Sequence, residues 1–243
     1  MKSVAVSGST QAKNDPSAAR TNPGEARYAA GAAILVAAVL YLLLPNHLIV
    51  GPRLVVPALE LALFVPLVIA NPHRFTRETA PLRVVAIGLV ALIMVANMTA
   101  LGLLVTTLVD GHAEPGRLLL LGAAQVWVTN MIAFALAFWE IDRGGPVARA
   151  LDPHDQLPAA DFRFPQDEDH DAIAEVAARS SAVSDWSPGF VDYLYLSVTN
   201  SSAFSPTDTM PLSHRAKTLM SVESLSALVL MVIVIARGVN VLQ

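Results

Sequence analysis

The chain contains no cysteine, which removes disulfides, thiolate metal sites and cysteine nucleophiles. Charge is also scarce: Asp, Glu, Lys and Arg make up 15% of the 243 residues, and the formal net charge is −4. With so few cations there is no dense basic patch to displace counterions from phosphates, so nucleic acid is excluded as a partner. HExxH, Walker glycine-loop, GxSxG and dinucleotide-fingerprint patterns are absent too. Neither an enzyme, a cofactor nor a metal centre is expected. What the chain does have is apolar residues, at 54% hydrophobic with a mean hydropathy of +0.52. That is more apolar surface than a soluble fold of this size buries, and it is banded into runs close to the length needed to cross a bilayer. The expected fold is an all-α, polytopic transmembrane helical bundle of about six membrane segments, with the lipid bilayer as solvent and partner.

Residues 1–27 are rich in Ser, Ala, Asn, Pro and Gly, the composition of a disordered tail. Four spans follow, at Tyr28 to Leu44, Leu54 to Ala70, Pro81 to Val109 and Leu118 to Trp139. The first ends at Pro45 and the fourth runs into Glu140-Ile141-Asp142-Arg143-Gly144-Gly145-Pro146, a helix stop. Arg143 beside Glu140 and Asp142 reads as an ion-paired helix end, with Trp139 as an interfacial aromatic anchor. Residues 147–187 read as an acidic, solvated loop, with a short surface helix over Asp171 to Arg179. Within it, the run from Asp167 to Asp171 with His170 lacks the spaced ligands of a dedicated metal site. A polar segment, Phe190 to Phe204, precedes a last span from Ala216 to Ala236.

Basic residues concentrate before the first span (Lys2, Lys13, Arg20, Arg27) and between the second and third (Arg74, Arg77, Arg83). A cytoplasmic N-terminus and a multi-pass protein of the cell membrane are therefore expected. The polar fifth segment then enters from the cytoplasmic side. Its length favours a sixth crossing, whereas the charges of Arg215, Lys217 and Arg237 favour re-entry.

On a helix, Asp192, Tyr195, Thr199 and Ser202 share one side, and Tyr193, Ser197, Asn200 and Phe204 form a neighbouring stripe. A segment this polar is excluded from hydrocarbon, so it packs among other helices or lines a wet cavity. Ser205, Pro206, Thr207 and Asp208 follow as a fixed polar turn, in which Asp208 suits a cap or turn role. Glu60 and Glu223 lie inside the second and last spans, where an unpaired anion is costly. They are candidates for a proton or cation pathway, or for a polar clasp between helices, and could share a cavity with Asn97, Gln125 or Asn130.

The order Asp192-Tyr193-Leu194-Tyr195-Leu196-Ser197-Val198-Thr199, a short turn ending in Asp208, then Pro211, Lys217 and a long apolar helix resembles the pore helix, filter and inner helix of two-helix potassium channels. The Gly-Tyr-Gly filter is missing: Ser205-Pro206-Thr207-Asp208 stands there and carries over only the Asp. More of the chain resembles a family of bacterial predicted integral membrane proteins of unknown function. That likeness rests on Phe138 through Pro146, on Asp192-Tyr193-Leu194-Tyr195 with Ala203 through Asp208, and on Ala236-Arg237-Gly238-Val239-Asn240. It implies a membrane protein and no particular activity. Two functions remain open. One is a channel-like or transporter-like ion pathway lined by residues 192–208, which as a channel needs several copies in a homo-oligomer. The other is a non-conducting structural or interaction protein whose polar hairpin is internal packing.

Overall fold

The computed structural model describes residues 28–70, 79–109, 116–168, 173–181, 186–202 and 208–241. Four helices come first: α1 (Tyr28–Leu43), α2 (Val55–Ala70), α3 (Ala80–Val109) and α4 (Gly116–Ile141). After them come α5 (Pro146–Leu151), α6 (Ala174–Ala177), α7 (Phe190–Ser202) and α8 (His214–Val241). Two short strands, β1 (Phe162–Arg163) and β2 (Met210–Pro211), pair antiparallel with Phe162 opposite Pro211.

The long helices form where Ala, Leu, Val and Ile run on without interruption, so that every backbone group bonds within its own segment. Pro45 ends α1, because a residue before proline is pushed out of the helical region. At the end of α4, Arg143, Gly144 and Gly145 all take positive φ (49°, 82° and 93°), and Pro146 then opens α5. Among the described residues, three helices are long and apolar enough to cross a membrane: Ala80–Val109, Gly116–Gly144 and His214–Ile235. The apolar helices α1 and α2 have 16 residues each, about 24 Å of helix.

α4 is the central element and touches α1, α3, α7 and α8. From Ile132 to Glu140 every residue is buried, as expected of a helix covered on all sides. α3 runs antiparallel to α4: Arg83 donates to the Gly144 carbonyl at one end, and Asn97 Nδ2 donates to Asn130 Oδ1 at mid-length (2.9 Å). Gly122 admits the α1–α2 connector, since a Cβ there would stand 2.7 Å from Leu48 Cδ1.

The course of α7 bears on whether the polar segment crosses or re-enters. Tyr193 near its start donates to Asp142 at the end of α4, and Arg215 at the start of α8 donates to the Ile141 carbonyl. Deeper in, Ser197 and Glu223 meet beside the Met131 carbonyl. α7 and α8 thus begin at the same end of the bundle and run in the same sense. Between them the chain has come back, because β2 pairs with β1 at that end.

Two expectations change. Trp139 is only 5% exposed and meets the Phe190 ring edge-on, 5.9 Å between centroids, so it is a core residue and not an interfacial anchor. Part of the loop expected to be solvated is folded onto the bundle: Asp161, Phe162 and Phe164 are buried, while residues 151–156 are exposed. The expected surface helix is reduced to α6, with residues 169–172 outside the described set.

Candidate functional site

Three polar assemblies occupy the bundle. The first closes the end at which α4, α7 and α8 converge. Asp142 is fully buried; its Oδ1 accepts from the Asp161 amide (2.7 Å) and its Oδ2 from the Tyr193 hydroxyl (2.6 Å). Arg149 donates to the Trp139 and Asp142 carbonyls (2.9 and 2.6 Å), and its guanidinium stands 5.0 Å from the Tyr193 ring centroid. Arg215 forks onto both oxygens of Asp161 (2.6 and 2.5 Å), which also accepts from Ser213. Arg143 donates to Asp167 Oδ2 (2.5 Å). The left-handed conformation at Arg143 is therefore held by a specific partner. Phe138, Phe162, Phe164 and Tyr193 surround the charges with edge-on rings, which keeps water out and strengthens each ionic bond.

The second assembly joins α7 to α8. Glu223 is fully buried; Ser197 and Ser201 donate to Oε1 (2.9 Å for Ser201) and Asn200 Nδ2 to Oε2 (2.7 Å). Asn200 Nδ2 also reaches the Met220 carbonyl, and Ser224 donates to Asn200 Oδ1 (3.0 Å). Ser197 Oγ lies within bonding range of both Glu223 and the Met131 carbonyl. A hydroxyl has one proton, so it serves one acceptor at a time. The carboxylate is enclosed and both its oxygens are taken.

The third is Glu60 on α2, 2% exposed, with no hydrogen-bond partner for Oε2 among the described residues. It lines a void of about 10 Å³ together with Tyr41 from α1, Asn97 from α3 and Thr129 from α4.

The expected site residues divide accordingly. Asn200 and Glu223 come together. Asp192 accepts from the Gly189 amide (2.8 Å) and so secures the start of α7. Tyr195 is 57% exposed and Ser202 is exposed, its hydroxyl turned back to the Val198 carbonyl. Thr199 bonds back to Tyr195 and Leu196. Of the two polar stripes, Asp192-Tyr195-Thr199-Ser202 therefore does not form the polar core. The neighbouring stripe does, with Tyr193, Ser197 and, one step on, Ser201. Asp208 is exposed, whereas Ser205 and Thr207 lie outside the described residues. Glu60 shares its void with Asn97 but not with Glu223, which has its own ligands. Asp161 and Arg149, central to the first assembly, carried no sequence signal beyond their charge. No cluster of His, Asp and Glu suited to a metal occurs among the described residues.

In comparison with known proteins, no protein-family model matches the chain, and neither a curated protein nor a solved structure matches it.

Proposed function

We propose that this is a multi-pass protein of the cell membrane in which the polar hairpin is an internal clasp, and that it acts as a non-conducting structural or interaction protein. One observation carries the reading: both oxygens of Glu223 are occupied by Ser197, Ser201 and Asn200 of the hairpin. A pathway needs polar groups free to exchange ligands with an ion or water; here they are consumed between two helices of one chain. The three long spans with α1 and α2 make five crossings, and α7 dips between the fourth and fifth. Arg83, Arg143, Arg149 and Arg215 gather at the end where α7 enters, which supports a cytoplasmic assignment for that end and for the N-terminus. The surface offered to a partner is the cytoplasmic side, where residues 151–156 are exposed beyond the capped bundle end.

The re-entrant course supports an architectural likeness to the pore-helix hairpin of two-helix potassium channels, in which a short helix enters and returns before an inner helix of the same sense. Proteoliposomes bearing the purified chain test the function. Potassium, sodium and proton fluxes equal to those of empty vesicles are expected at all voltages. A flux above that level, abolished by Glu223→Gln, would reverse the assignment in favour of an ion pathway along the hairpin.

A further inference from the structure

The Glu60 void goes beyond the clasp reading and depends on none of its residues. Glu60 stands in the middle of an apolar helix, yet its carboxylate is 2% exposed and one oxygen has no hydrogen-bond partner among the described residues. Leaving a buried carboxylate oxygen bare costs far more than placing a leucine there. The space it faces holds about 10 Å³, room for one particle of the size of a water molecule. The polar residues lining it are Tyr41, Asn97 and Thr129; the others are Ala37, Leu44, Ile93, Ala96, Ala100 and Val126.

The available chemistry is oxygen. Asn97 commits its amide nitrogen to Asn130, which leaves its oxygen as the atom to offer. Thr129 gives its proton to the Gln125 carbonyl (2.9 Å), which leaves the lone pairs of Oγ1. Among the described residues, no Lys, Arg or His lines the void. Arg53, within electrostatic reach of Tyr41, is engaged by the Leu42 carbonyl and by Asn46 Oδ1 in the α1–α2 connector.

Oxygen ligands select a hard cation. The single negative charge selects a monovalent one, because a divalent ion would leave an uncompensated charge at membrane depth. The lining offers few oxygens, those of Glu60 with one each from Tyr41, Asn97 and Thr129, which suits the smaller coordination shell of sodium better than that of potassium. We infer that the void between α1, α2, α3 and α4 is a binding site for one sodium-sized monovalent cation, held by Glu60 with oxygen from Tyr41, Asn97 and Thr129. A resident ion there neutralises Glu60 and ties the four helices together.

The test uses the full-length chain in detergent or nanodiscs at fixed pH and ionic strength, exchanging choline for sodium. Dicyclohexylcarbodiimide attacks a protonated carboxyl in apolar surroundings, and mass spectrometry locates the adduct. Sodium at about ten times its Kd should lower the adduct on Glu60 about tenfold, with potassium and choline giving no protection. The thermal midpoint should rise with the logarithm of sodium concentration and cease to do so in Glu60→Gln. Should that variant fail to fold, Thr129→Val, which keeps the shape and removes one oxygen, should weaken the sodium dependence. An adduct insensitive to sodium would overturn the proposal and leave Glu60 an ordinary protonated carboxyl beside a water. If no adduct forms, the thermal midpoint decides: a rise specific to sodium sustains the site, and equal midpoints in sodium and choline overturn it.

Discussion

Asp142 serves three partners from a position closed to solvent. It accepts from the Tyr193 hydroxyl and the Asp161 and Phe162 amides, and its own backbone carbonyl receives Arg149. Removing one member of such a buried set leaves its partners charged or polar without a counterpart. Asp142→Ala is expected to destabilise the protein by about 3–5 kcal/mol, read by reversible unfolding in mixed micelles, with a loss below about 1 kcal/mol counting against the hub. Next to it, Gly145 sits at φ 93° and ψ 176°, in backbone space that only glycine enters readily. A Cβ there would also lie 3.2 Å from the Glu140 carbonyl. Gly145→Ala is expected to cost about 1–3 kcal/mol. A neutral result by the same unfolding measurement would mean that the turn relaxes without penalty. The helix stop was legible in Gly144-Gly145-Pro146, because glycine and proline act through local sterics. The burial of Arg143 and Trp139 was not, because it depends on residues 162–167 folding back over the bundle end and on Phe190 of α7 meeting Trp139.

At the scale of elements, the hairpin is the feature that local pattern located without fixing which side faces inward. Its polarity declared that it avoids lipid. The side that faces inward was settled by Glu223 on another helix, a partner that lies 26 residues from Ser197 in sequence. Glu223→Ala is expected to leave Ser197, Asn200 and Ser201 without their acceptor, at about 1–3 kcal/mol for each group not recovered by water. Faster proteolysis within residues 203–209 would report the loosened hairpin, and an unchanged cleavage rate would argue that β1–β2 pairing alone holds it. The absence of cysteine makes topology directly readable. With Asp155→Cys and Val50→Cys as markers of opposite ends, Asp208→Cys should react with an impermeant thiol reagent from the same face as Asp155→Cys. Reaction from the face of Val50→Cys would restore a full crossing.

For the molecule as a whole, the five crossings proposed above would place the two termini on opposite faces of the membrane. A fluorescent reporter active only in the cytoplasm should therefore report at the N-terminus, and an alkaline phosphatase active only outside should report at the C-terminus. Both termini reporting on one side would fit six crossings. Composition and the spacing of apolar runs were enough to determine a membrane bundle, the four early helices and the last one, because solvation of a helix in lipid is a local, additive property of its residues. The shared starting end of α7 and α8, the clasp at Glu223, the cap around Asp142 and the void at Glu60 were decided only in three dimensions. Each depends on which groups from distant segments meet at one depth, and a buried charge is stabilised by the partners that reach it, which its place in the sequence does not fix.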